Sequence, residues 1–118
     1  MNISIPDQEK IIEYYGEEDR TTVVMEELSE LIKAVSKYKR YVLNSEKYRQ
    51  DHRHDAHEIR ESLKEEMADT LICIRIMQDI TGISDNELEK EIRKKNIRNV
   101  MVKMNETDEI MEQAEEIK

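Results

Sequence analysis

Between Gly16 and Gly82 the chain contains no glycine and no proline, and the one proline, Pro6, lies outside that run. Few features constrain a fold more. Strands and loops need turn residues every 8–12 positions or so, whereas helices tolerate long stretches without them. Apolar residues recur through the run at helical spacing. Aromatic residues are only 4% of the chain, with no Phe or Trp, and charged residues reach 40%. Such polarity also suits a disordered chain, but disordered chains rarely place Ile, Leu, Val and Met at a 3.6-residue period over long segments. The expectation is an all-α protein, one domain over residues 1–118, built as a bundle of two long antiparallel helices with shorter ones around them.

Start and stop signals divide the chain. "PDQEKIIEYYG" predicts a short helix with Pro6 near its start and Gly16 as its stop. "VVMEELSELIKAVSKYKRYVL" predicts a long helix from about residue 20 to about 43, with Val24, Leu28, Leu31, Ile32 and Val35 at helical spacing. The polar segment "NSEKYRQDHRHD" reads as a loop or a solvated extension. Asp55 and Glu58 match a capping box that opens a second long helix running to Thr81. After the break "TGIS", Ser84 and Glu87 form another such box, opening "SDNELEKEIRKKNIRNVMVKM". Residues 105–118 read as an acidic tail or short helix.

Charge and cysteine usage narrow the setting. The balance of 19 basic against 28 acidic residues gives a net charge of −9, which speaks against nucleic-acid polymers and anionic membranes as partners. No apolar run approaches the ~20 residues that span a bilayer, and "MNISIPDQEK" lacks the regions of a signal peptide. The lone cysteine, Cys73, allows no intrachain disulfide and fits a reducing cytoplasm.

Two acids stand out because they sit among apolar residues. With Glu66 at zero on a wheel of about 100° per residue, Ile59, Leu63, Thr70, Cys73, Met77 and Ile80 all fall within roughly 60° of it, and Asp69 lies at the edge of that arc. Ile72 and Ile76 cover the other flank. An unpaired buried carboxylate is costly, so these positions need a reason. The first long helix offers a matching pair: Glu26, Glu27 and Glu30 spell E-E-x-x-E, with Glu27 and Glu30 about one turn apart at the border of the Leu28, Leu31 and Val35 stripe. Two antiparallel helices would bring Glu27, Glu30, Glu66 and Asp69 into one cluster. Four such charges repel unless neutralised, and hard divalent cations that favour oxygen ligands, magnesium above all, do that. The bland reading is a set of solvated acids, which is the better account of Glu17/Glu18, Glu61/Glu65 and Glu112/Glu115/Glu116. His52, His54 and His57 read as surface histidines, and a di-iron site would need E-x-x-H repeats that the chain lacks.

"MEELSELIKA" followed by "EEMADTLICI" resembles the signature of the MazG-like all-α nucleoside triphosphate pyrophosphohydrolases, E-E-x-x-E and then E-x-x-D. The likeness runs from "YYGEEDRTTVVMEEL" through "KKNIRN" and looks closest to small single-domain bacterial or phage members. It implies hydrolysis of a nucleoside triphosphate to the monophosphate and pyrophosphate, with Mg²⁺ (Mn²⁺ as a substitute) held by Glu27, Glu30, Glu66 and Asp69 and with Glu26 in support. It further implies that Glu27 or Glu30 accepts a proton from the attacking water. "RKKNIRN" falls where the family grips phosphates, which makes Lys95, Asn96 and Arg98 the implied substrate-binding residues, with Arg93 and Lys94 as neighbours. The 35 residues between Glu30 and Glu66 exceed the usual spacing, and the extra length falls in "YVLNSEKYRQDHRHDAHE". Tyr14 and Tyr15 either stack on a base or pack the first helix.

Assembly follows from the second long helix, which has more apolar surface than one neighbour covers, so a homodimer or homotetramer is expected. Two competing readings stand beside the hydrolase. One is a non-catalytic helical interaction protein whose acids pair with a partner's cations. The other is a family member that binds nucleotide without cleaving it.

Overall fold

The computed structural model describes residues 3–44 and 55–98, which are mostly helical with no strand among them. Helix α1 spans Glu9–Tyr15 and α2 spans Glu17–Tyr38, continuing into a π-helical turn at Lys39–Leu43. Helix α3 spans Ala56–Thr81, and α4 occupies residues 85–98 of the described chain. The chain divides into two compact units, Met1–Gly82 and Ile83–Lys118, so α1–α3 form one and α4 belongs to the other. His52 and His54 and the predicted tail at 105–118 lie outside the described residues.

Helix ends follow the sequence signals. Gly16 takes φ 90°, which an L side chain rarely adopts, and its N–H donates to the Ile12 carbonyl at 2.7 Å; it ends α1 and lets α2 start at the next residue. Gly82 ends α3 in the left-handed region at φ 75°, with its N–H bonded to the Gln78 carbonyl at 2.8 Å. At the start of α3 the Asp55 carboxylate accepts from the N–H groups of His57 (2.7 Å) and Glu58 (3.4 Å). Ser84 and Glu87 complete a reciprocal box: Glu87 accepts from the Ser84 N–H at 2.8 Å and its own N–H donates to Ser84 Oγ at 3.2 Å. The π-helical turn is a departure, since the sequence predicts an unbroken α-helix to residue 43.

Helices α2 and α3 form an antiparallel hairpin. The register proves the direction: Val24 packs on Cys73 and Ile76, Glu27 meets Glu66 and Asp69, and Ala34 and Lys37 share a cleft with Ser62. Numbers rise along one helix as they fall along the other. The inward residues of α3 are Ile59, Leu63, Glu66, Thr70, Cys73, Met77 and Ile80, alternately four and three apart, and all are buried or half-buried. That is the seam of two packed helices.

The inward stripe of α2 is Val24, Glu27, Leu31, Ala34 and Tyr38. This corrects the sequence reading, in which Leu28, Ile32 and Val35 belong to the core stripe and Glu27 only borders it. Leu28 is 40% exposed, Val35 50% and Ile32 70%; with Met25 they form a second, bare apolar stripe. Ile76, assigned by the wheel to α3's outer flank, is instead buried in the core. Helix α1 closes one end of the hairpin. Ile12 packs on the core cluster of Val24, Cys73 and Ile76, and the Gln8 N–H donates to Asp79 Oδ2 at 2.6 Å.

Candidate metal centre

The hairpin register places Glu27 across from Glu66, about one turn along α2 from Val24 and two turns along α3 from Cys73. Glu27, Glu66 and Asp69 each offer a carboxylate oxygen, and these oxygens lie within 4.8 Å of one another. The backbone supports this cheaply, because Glu66 and Asp69 are three apart on a helix whose axis is held by Cys73 and Ile76 packing below. Thr70 Oγ1 donates to the Glu66 carbonyl at 2.7 Å, which satisfies the hydroxyl without engaging the carboxylate.

Glu66 is the strained member. It is half-buried, and its Oε2 is inaccessible to solvent and accepts no hydrogen bond. Its carboxyl is held above the ordinary glutamate range, first by burial and then by the like charges of Asp69, Glu27, Glu30 and Glu65. Cys73, the next inward residue but one, feels the same field: burial raises its thiol, and the charges of Glu27 and Asp69 raise it further. A buried acceptor without a donor, beside like charges, is relieved by a proton or by a cation.

The expected quartet is only partly assembled. Glu30 lies outside the group whose oxygens meet, is exposed, and pairs with Lys33 Nζ at 3.1 Å. It still adds to the field at Glu66. Asp69 is exposed, where the apolar-stripe reading expects burial, because its place at the arc's edge faces water over so narrow a core. Glu26 is exposed, and its carbonyl accepts from Ser29 Oγ at 2.6 Å.

Lys95, Asn96 and Arg98 are exposed residues of α4, in the second unit. Arg93 pairs with Glu89 at 3.0 Å, and Arg98 lines a shallow depression with Arg93, Lys94 and Ile97. His57 is exposed in the first turn of α3, in keeping with a surface histidine. The tyrosines of α1 lie on the surface and pack locally: Tyr14, 81% exposed, meets the Tyr15 ring edge-on at 4.7 Å, and Tyr15 lies under the Arg20 guanidinium, 4.2 Å from the ring centroid.

What the wheel misses is a cleft of about 400 Å³ between α2 and α3, lined by Glu30 and Glu66 together with Lys33, Lys37, Arg40 and Ser62. Its signal was present in the sequence as K-x-x-x-K-x-x-R on the helix that carries E-E-x-x-E. No helix among the described residues is long and apolar enough to cross a membrane. Compared with protein-family models, curated proteins and solved structures, the chain matches none.

Proposed function

We propose that this protein is a magnesium-dependent nucleoside triphosphate pyrophosphohydrolase of the MazG-like kind, cleaving an NTP or dNTP to the monophosphate and pyrophosphate. The observation that supports it most is Glu66 Oε2, buried and without a donor, inside a trio of carboxylates whose oxygens lie within 4.8 Å of one another. The all-oxygen donor set suits a hard divalent ion that keeps part of its water shell. Glu27, Glu66 and Asp69 would hold it, with Glu30 free to join by releasing Lys33. Bound there, magnesium supplies positive charge to triphosphate oxygens and lowers the pKa of a water.

The chain's own residues do the rest. Glu66, already resisting ionisation, fixes the inner wall of the site, and the packed turn at Cys73 holds it in place. Glu27 is half-buried and adjacent, so it keeps a restricted geometry from which a carboxylate can accept the proton of an attacking water. Lys95, Asn96 and Arg98 remain the residues assigned by resemblance to phosphates. The bare stripe of Met25, Leu28, Ile32 and Val35 supports pairing of copies into a dimer or tetramer, since contiguous exposed apolar surface on a helix marks an interface.

The test is a panel of NTPs and dNTPs incubated with the full chain and Mg²⁺ or Mn²⁺, followed by pyrophosphate release, alongside melting temperature with and without the ion. Release of pyrophosphate from at least one nucleotide and an ion-dependent rise in melting temperature are expected. Glu66→Gln should abolish both. A protein that neither responds to the ions nor releases pyrophosphate is the interaction protein of the competing reading; ion-dependent stabilisation with no turnover is a nucleotide binder.

A further inference from the structure

We infer that the cleft beside Glu66 binds a condensed phosphate chain through Lys37 and Arg40 of α2. The inference rests on the metal-centre reading and extends it to the groups that grip the ligand. Lys33, Lys37 and Arg40 lie at i, i+4 and i+7, which sets their backbone positions along about 10 Å of helix on one face. All three line the cleft, whose opposite wall contributes Ser62 and Glu66. The cleft is therefore bipolar, acidic toward Glu66 and basic toward the C-terminal end of α2.

The charges on the basic side are not equivalent. Lys33 is neutralised by Glu30 at 3.1 Å. Lys37 and Arg40 have no carboxylate partner among the described residues, and Arg40 rests only on the Tyr41 ring at 5.7 Å. Lys94, Lys95 and Arg98 also have no acid partner among the described residues, so what sets Lys37 and Arg40 apart is the cleft they share with Glu66. Cations near a helix C-terminus complement its dipole, which accounts for their sign but not for their sharing a cleft with Glu66.

Backbone geometry singles out the same place. Arg40 lies in the π-helical turn Lys39–Leu43 that ends α2, and π-type turns are frequent at functional sites. A cleft of about 400 Å³ is of the size that holds a small ligand. A row of cations running away from a carboxylate cluster matches a linear anion that brings its own divalent ion, better than a single carboxylate or a point anion. Condensed phosphate is that chemistry.

Inorganic tripolyphosphate, titrated calorimetrically into the full chain with and without Mg²⁺, tests this. Wild type should bind it, and Lys37→Gln with Arg40→Gln should weaken binding by about tenfold or more for each cation removed. Lys10→Gln, on the exposed face of α1, is the control and should bind as wild type. Circular dichroism checks folding, and either single variant serves if the double one unfolds. Mn²⁺ affinity, read by electron paramagnetic resonance, should be the same in wild type and in the Lys37/Arg40 variant. Wild type that binds Mn²⁺ but not tripolyphosphate overturns this inference while the metal centre stands. Tripolyphosphate binding that depends on Lys37 and Arg40, in a chain that binds no Mn²⁺, sustains the cleft and removes the metal centre. Binding that is unchanged by the Lys37/Arg40 substitutions, or lost only with Lys95→Gln and Arg98→Gln, overturns it.

Discussion

Both faces of the α2–α3 hairpin carry exceptions to the division of an ordinary globular unit, two acids among the apolar residues inside and apolar residues left bare outside. The inner face holds acids: Glu27 and Glu66 occupy the seam, where Val24, Cys73 and Ile76 supply the oil. The outer face holds oil: Met25, Leu28, Ile32 and Val35 on α2, and Met67, Ile72 and Ile74 on α3, are all exposed. Each inversion costs stability to an isolated chain. Charge in the seam is repelled and desolvated, and bare apolar surface is hydrated. The lesson is that each face departs from the ordinary division locally, and those departures are where the proposed ion and the proposed second copy would act.

A sharper contrast is between two glutamates of α3, one off the seam and one in it. Glu61 pairs with Lys64, and that hydrogen bond lowers its carboxyl below the usual range; Glu66, five residues on, is pushed the other way. Residue type therefore does not mark the site, and environment does. Breaking the contrast should give the largest effect: Glu27→Gln cuts pyrophosphate release by ~100-fold or more, while Glu61→Gln leaves it at the wild-type rate. Equal losses in both would place the chemistry elsewhere.

A second contrast lies between Ile72 and Ile76, one turn apart on α3, the first 40% exposed and the second 4%. Ile76→Ala should cost about 2–5 kcal/mol in urea unfolding, whereas Ile72→Ala should stay within about 0.5 kcal/mol for the isolated subunit. A smaller core than usual leaves little to absorb the first change.

The outer stripe gives a third comparison. Ile32→Glu should convert a light-scattering mass of two or four chains to one, with helicity retained; a wild type already monomeric at micromolar concentration removes the assembly proposal.

The smallest effect is in pH. A carboxyl held above its ordinary value binds its proton more tightly folded than unfolded. The stability from Glu66 is therefore full below 4.5, its ordinary value, and is lost as pH rises through the higher folded value. Without divalent ions, the melting temperature of wild type should fall relative to Glu66→Gln as pH climbs from there toward neutrality. Parallel curves for the two proteins would contradict the raised carboxyl.

Much of this was legible in the residues, and the failures have physical causes. Helix bounds were readable because Gly16, Asp55, Gly82 and the Ser84/Glu87 pair each carry a local hydrogen-bonding reason to start or stop. Glu66 was readable because the stripe around it is continuous. The choice of stripe on α2 was not, since that helix carries two apolar stripes and periodicity cannot say which one meets α3. Glu30 and Asp69 share one error: each sits three residues past an inward acid, about 60° off the seam, and over a narrow core that angle already reaches water. The π-helical turn left no mark, because Lys39–Leu43 are ordinary helix-compatible residues.

Cys73 has a practical consequence. It is 3% exposed, wedged between the apolar cluster and the carboxylates, and it is the chain's single thiol. Alkylating reagents attack thiolate, which burial and the nearby negative charges suppress here. The rate of its modification is thus a clock for separation of α2 from α3, and whatever ties Glu27 to Glu66 slows that clock in proportion to how rarely the two helices part.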